Sequence, residues 1–271
     1  MHGVHQYCRG GSSFLAGGTL SDDAVKGAAP VSAGASLSVV RADRLKAIVF
    51  DIDGTLYRQG PLRRAMLARL AAAYAAHPIR GWRTLRVLRA YRHAQEELRA
   101  GAFSGEIAAA QIALTCERTK VDRDTVAACV ATWMEQEPLP FLRECLQPGV
   151  IEFLQTCRSR GVQLGALSDY PADAKLQALG LFELFDLVLC AQSTHVNVFK
   201  PHPRGLLLAL ERLGVDRSEA LYIGDRVDVD APTAKAASVA CAILTTGRTA
   251  SSGGHHVEFT TYSKLHEILF G

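Results

Sequence analysis

Asp51 and Asp53 stand either side of Ile52, and Gly54 and Thr55 follow them. The apolar run Ala47 to Phe50 ends at Asp51, so both carboxylates fall where a buried strand leaves its sheet. Gly54 permits the tight backbone through which main-chain N–H groups can approach an anion. Paired acids beside an anion cradle can carry polar group-transfer chemistry. Further along, Ser168-Asp169 and Gly224-Asp225 each close an apolar run, Lys200 precedes Pro201, and Asp228 and Asp230 follow Asp225. Asp51, Asp53 and Asp225 would crowd their carboxylates into one place, which calls for a cation.

The elements that must position these groups alternate along most of the chain. After the first strand the pattern turns helical for about ninety residues. Met66, Leu67, Leu70 and Tyr74 recur at helical spacing behind Pro61. A second helix opens near Trp82, with Leu85, Leu88, Tyr91 and Leu98 expected on one face. Two more follow, over Ile107 to Cys116 and from about Asp122 through Val126, Val130 and Trp133. From Pro148 the rhythm becomes helix and strand in turn. Strands are expected at Val162–Leu167, Leu187–Cys190, Ala220–Ile223 and Val239–Leu244. Helices are expected over Val150–Arg160, Ala172–Leu179, Gly205–Leu213, Ala231–Ala237 and Tyr262–Leu269. Such alternation implies an α/β fold with a parallel sheet covered on both faces, and ligands in such folds bind at the carboxyl ends of the strands.

Composition bounds the rest. At 271 residues with 48% hydrophobic content the chain can bury a sizeable core, and one main domain with an insertion is the economical organisation. A net charge of +3 is too mild to indicate a nucleic-acid partner. The seven cysteines are scattered without any Cys-x-x-Cys, which suits reduced thiols in a cytosolic protein. No apolar stretch is long enough for a membrane span. Residues 1–44, rich in Gly, Ala and Ser and broken by Gly10, Gly11, Gly17 and Gly18, read as a disordered tail.

Asp51-Ile52-Asp53-Gly54-Thr55, Ser168 closing a strand, Lys200 before Pro201, and Gly224-Asp225 with Asp230 behind it occur in one order. In that order the chain resembles the haloacid dehalogenase-like superfamily, on its phosphatase side, over about residues 45–271. The resemblance implies a Rossmann-like three-layer core with a parallel sheet, residues 45–58 and 147–271, and a small all-helical cap domain, residues 59–146. It implies a Mg²⁺-dependent hydrolysis of a small phosphorylated metabolite through an aspartyl phosphate. Asp51 would then be the nucleophile, Asp53 the general acid and base, and Lys200 the cation that neutralises charge between Asp51 and phosphate. Gly54, Thr55, Ser168 and Asp169 would contact substrate. Asp51, the backbone carbonyl of Asp53 and Asp225 would ligate Mg²⁺, with Asp230 supporting the metal from nearby and Asp228 an alternative to it.

Asp53 discriminates among relatives of this kind, because the dehalogenases lack an acid there and the ATPases usually carry Thr. Phosphonate-cleaving members need a cap lysine, and the insertion holds only Lys120. Asp169 stands where Asn is common, and Arg226 where Ser or Thr is common. A phosphosugar mutase and a non-catalytic binding protein are the alternatives to a phosphatase. Arg83, Arg86, Arg89 and Arg92 repeat every three residues, which winds around a helix and suits a solvated face, although a few of them could meet an anionic substrate. His195, His202, His255 and His256 have no ligand spacing and read as loop or surface residues.

Overall fold

The structure is a computed structural model and describes residues 44–101, 105–245 and 256–271. The tail expected over residues 1–44 lies outside the described residues, Arg44 excepted, and so does His255. Strand β1, Ala47–Phe50, is fully buried. Ile48 and Phe50 join one hydrophobic cluster and Val49 the other, the period-two alternation of a strand covered on both faces.

Between β1 and the next strand lie α1 (Gln59–Ala73), α2 (Pro78–Ala100), α3 (Ile107–Thr119), α4 (Arg123–Val130), a π-helical turn (Ala131–Gln136) and the short α5 (Leu139–Leu142). Asp122 caps α4 by accepting from the Thr125 N–H, as its position before the apolar pattern predicts. Helix α2 begins four residues before the expected Trp82, with Pro78 supplying its first turn. Its buried face also differs from the expected one. Val87, Tyr91 and Ala94 are buried and pack in part against Val126 and Val130, whereas Trp82 and Leu85 are exposed. The chain enters and leaves this helical segment side by side. Tyr57 and Leu146 form an antiparallel bridge, the Arg58 N–H donates to the Cys145 carbonyl, and the Gln147 N–H donates to that of Leu56.

The remainder alternates as expected through α6 (Val150–Ser159), β2 (Gln163–Ser168), α7 (Asp173–Leu179), β3 (Leu187–Cys190), α8 (Arg204–Leu213), β4 (Ala220–Gly224), α9 (Asp230–Ala237), β5 (Ala240–Leu244), β6 (Val257–Phe259) and α10 (Tyr262–Phe270). Gly214 ends α8 in the left-handed conformation, where a side chain would be strained. The three-residue β6 was not legible, being too short to show a period. It exists because β5 offers it a parallel edge, Ala242 opposite Val257.

The six strands among the described residues are all parallel, in the order β3-β2-β1-β4-β5-β6. Helices α6, α7 and α10 cover one face through Phe153, Leu154, Leu176 and Leu265, and α8 and α9 cover the other through Leu206, Ala209 and Ala234. The chain winds outward from β1 through β2 to β3, then returns to β4 on the opposite side of β1. The carboxyl ends of β1 and β4 thus form the switch point at which a crevice opens. No helix among the described residues is long and apolar enough to cross a membrane.

Candidate active site

Asp51 follows β1 and Asp225 follows β4, so the switch point brings these two acids together. Asp230, at the start of α9, completes a triad whose carboxylate oxygens lie within 4.8 Å of one another. Gly54, at φ +114, makes this approach possible, since a Cβ there would collide with the Asp225 carboxylate.

Lys200, 4% exposed, reaches into the triad from the segment after β3. Its Nζ donates to Asp51 Oδ1 at 2.6 Å, to Asp230 Oδ1 at 2.8 Å and to the Tyr222 hydroxyl at 3.2 Å. Burial alone would push this lysine down, but Asp230 and Asp51 outweigh it and hold Lys200 well above the ordinary lysine value. Asp230 spends its other oxygen on the N–H groups of Asp225 and Arg226. It therefore fixes both Lys200 and the loop after β4. Asp228 lies outside this cluster, exposed and paired with Arg226 at 2.6 Å.

One lysine does not balance these acids. Asp51 is raised to about 6 by burial, with Asp230 and Asp53 adding repulsion against the attraction of Lys200. Asp225 is raised to about 8 by burial and by repulsion from Asp51 and Asp230. Its carboxylate has no hydrogen-bond partner among the described residues. Hard oxygen donors at this spacing, short of positive charge, fit a divalent cation such as Mg²⁺.

Asp53 points to a different partner. Lys175, from α7, donates to both of its carboxylate oxygens, at 2.7 and 2.9 Å, and the Tyr57 hydroxyl donates to Oδ1. Burial raises the Asp53 pKa, but Lys175 and Tyr57 outweigh it and keep this acid below the ordinary value, ionised. Its backbone carbonyl, expected to face a metal, accepts from the Gln59 side chain. Lys175 carried no sequence signal, since a lone lysine in an amphipathic helix reads as solvated; here it is 8% exposed.

The other expected site residues divide. The Thr55 hydroxyl donates to Asp51 Oδ2 at 2.9 Å, and Ser168 Oγ accepts from the Tyr170 N–H; both residues are fully buried, so these bonds position the loops. Asp169 lines a cavity of about 1110 Å³ that opens above Asp51, Asp53, Lys200 and Asp225. Arg99 and Gln95 of α2 both donate to Asp169 Oδ2, at 2.7 and 3.0 Å. Tyr170 donates in turn to Gln95 and accepts from Gln111 of α3. The helical segment is thereby tied to the loop after β2. Arg83, Arg86, Arg89 and Arg92 are all exposed, and Arg86, Arg89 and Arg92 but not Arg83 line the same cavity. His256 lies near Glu258, at 3.6 Å, away from the acids.

A family model described as haloacid dehalogenase-like hydrolase matches residues 45–238. N-acetylmuramic acid 6-phosphate phosphatase of Pseudomonas aeruginosa is 30% identical over 191 residues, covering 67% of this chain and 74% of that protein. Glyceraldehyde 3-phosphate phosphatase of Methanopyrus kandleri is 31% identical over 196 residues, 69% of this chain and 78% of that one. The crystal structure of a HAD phosphatase from Thermococcus onnurineus superposes with a TM-score of 0.53 at 24% identity, covering 84% of this chain and 99% of that one, a likeness of fold.

Proposed function

Because this chain belongs to the haloacid dehalogenase-like hydrolases, we propose that it is a Mg²⁺-dependent phosphatase that hydrolyses a small phosphorylated metabolite. The observation that carries this reading is Lys200 Nζ between Asp51 and Asp230, with Asp225 beside them, at the carboxyl ends of β1 and β4. Asp51 Oδ attacks phosphorus and the bond from phosphorus to the ester oxygen breaks, giving an aspartyl phosphate. Asp53, ionised while Lys175 holds it, turns from Lys175 and takes up a proton from solvent as the ester binds, then gives that proton to the departing alcohol. In the second half it takes a proton from water, whose oxygen attacks the same phosphorus, releasing inorganic phosphate and restoring Asp51. Lys200 keeps Asp51 anionic yet able to approach a phosphate anion. Asp51 and Asp225, with Asp230 behind them, would hold Mg²⁺, which supplies further positive charge to the phosphoryl oxygens.

The segment over residues 59–146 acts in this proposal as a cap that encloses the crevice and excludes water. That role is supported by the bridge between Tyr57 and Leu146 that joins its two connections and by the bonds of Arg99 and Gln95 to Asp169. A cytosolic setting belongs to the same proposal, supported by six free thiols among the described residues.

Phosphate release with Mg²⁺, measured for wild type and Asp51→Asn without any added bisphosphate, tests the reading. Metal-dependent release that vanishes in the variant is expected. Release unchanged in Asp51→Asn would overturn the nucleophile, and exchange of phosphate between sugar positions without net release would indicate a mutase.

A further inference from the structure

One wall of the cavity is a face of α2. Trp82, Leu85, Arg89, Arg92, Glu96 and Arg99 follow one another at spacings of three and four residues, and all of them line the cavity. The catalytic end of this strip is already committed. Arg99 is paired with Asp169, and Glu96 reaches Arg226 Nη1 at 3.1 Å. Arg92 lies two turns further on, a rise of about 10 Å from Arg99, and Arg89 lies about 15 Å from it. Neither arginine has an ion-pair partner among the described residues. Beyond them the strip becomes apolar. Leu85 and Trp82 are 41% and 62% exposed, and Leu67 of α1, another cavity residue, is 60% exposed.

Resting on the phosphatase reading above, we propose that the substrate is a phosphomonoester carrying a carboxylate remote from its phosphate, and that Arg89 and Arg92 bind that carboxylate. A phosphate held over Asp51 leaves the first turn of the strip, Arg99 and Glu96, occupied by Asp169 and Arg226. Because Arg92 and Arg89 lie about 10 and 15 Å along α2 from Arg99, their spacing favours an anionic group set well away from the ester oxygen over one attached a single carbon from it. A six-carbon chain or a pyranose ring would supply that separation, with Leu85 and Trp82 offering apolar surface beyond it. Arg89 and Arg92, both exposed on the cavity wall, favour a carboxylate there over a neutral hydroxyl, because a carboxylate adds ion-ion attraction and can accept two parallel N–H donors from one guanidinium.

Matched esters that differ in a carboxylate test this assignment. The pairs are 6-phosphogluconate against glucose 6-phosphate, and N-acetylmuramic acid 6-phosphate against N-acetylglucosamine 6-phosphate, with phosphoglycolate as the short acid. Wild-type kcat/KM is expected to favour the acid of at least one pair by about tenfold and to exceed that for phosphoglycolate. The double variant Arg89→Gln/Arg92→Gln should bring that ratio close to one, Arg89→Lys/Arg92→Lys should retain most of it, and Arg83→Gln, off the cavity, should leave it intact. The ratio is internal to each variant, so a general loss of folded protein does not mimic the result. Equal wild-type rates within both pairs, a ratio that survives the double glutamine variant, or a preference for phosphoglycolate would overturn the assignment. No phosphate release from any of these esters or from p-nitrophenyl phosphate would overturn the phosphatase reading itself, and this assignment with it.

Discussion

Metal-free protein should lose stability as the pH rises from 5 to 8, opposite to the usual behaviour of a carboxylate held in an ion pair. The perturbation is ionisation of the acid cluster. Asp51 is raised from 3.8 to about 6 and Asp225 from 3.8 to about 8, in each case by burial first and by neighbouring carboxylates after it. An acid whose folded-state pKa exceeds its unfolded value binds more protons when folded, so its contribution is present in acid and is lost as the pH climbs through the folded value. For Asp51, moving from 3.8 to about 6, the loss between pH 5 and 8 is on the order of 1 kcal/mol. Asp225 titrates later and adds to it, while the two share macroscopic steps that belong to the cluster. Lys200 stays charged throughout and Asp53 stays ionised, so neither offsets the trend. At about 2 to 4 °C per kcal/mol for a domain of this size, the Tm of protein stripped with a chelator should fall by about 2 to 4 °C. Mg²⁺ competes with protons for the same oxygens, so its addition should raise Tm more at pH 8 than at pH 5. Asp225→Asn should flatten both dependences. A metal-free Tm that rises between pH 5 and 8, or a Mg²⁺ increment equal at the two pH values, would refute the electrostatic reasoning.

Three further outcomes follow from the same geometry. Lys200→Met leaves Asp51 and Asp230 without their shared cation, and denaturant unfolding should record a loss of about 3 to 5 kcal/mol in metal-free protein together with loss of phosphate release. Lys175→Met should let Asp53 keep its proton to higher pH, slowing the water-activating half-reaction roughly tenfold or more. Phosphorylated enzyme should then accumulate in rapid-quench experiments, whereas an unchanged kcat and pH profile would deny Lys175 this positioning role. Asp230→Asn should unsettle the loop after β4 and cost both activity and Mg²⁺ affinity, measured by calorimetry, while Asp228→Asn, exposed and bonded only to Arg226 among the described residues, should shift neither by more than about twofold.

Much of the fold was legible because strands and helices report burial locally. Leu187–Cys190 matched at both ends, and most other core elements fell within about one residue of their expected bounds, since glycine stops and alternating apolar runs act over a few residues. The helical segment was harder. Trp82 and Leu85 fit an apolar period, yet they face an open cavity and not a packed neighbour, and periodicity alone does not distinguish the two. The arginine repeat is exposed throughout, as three-residue spacing around a helix suggests, but which of its members face the cavity, Arg86, Arg89 and Arg92, depends on how α2 packs.

The sequence by itself determined that Asp51 and Asp225 would stand at strand ends, with Asp53 and Gly54 following the first strand, because a strand's carboxyl end is set by residues beside it in the chain. Only the tertiary structure decided which side chains meet them. Lys175 finds Asp53 across 122 positions, Arg99 finds Asp169 across 70, and Asp230 rather than Asp228 enters the acid cluster. Such pairings depend on how α2, α7 and the loop after β4 converge over the switch point, and that convergence is a property of packed surfaces far apart in the chain, which leaves no local period to read.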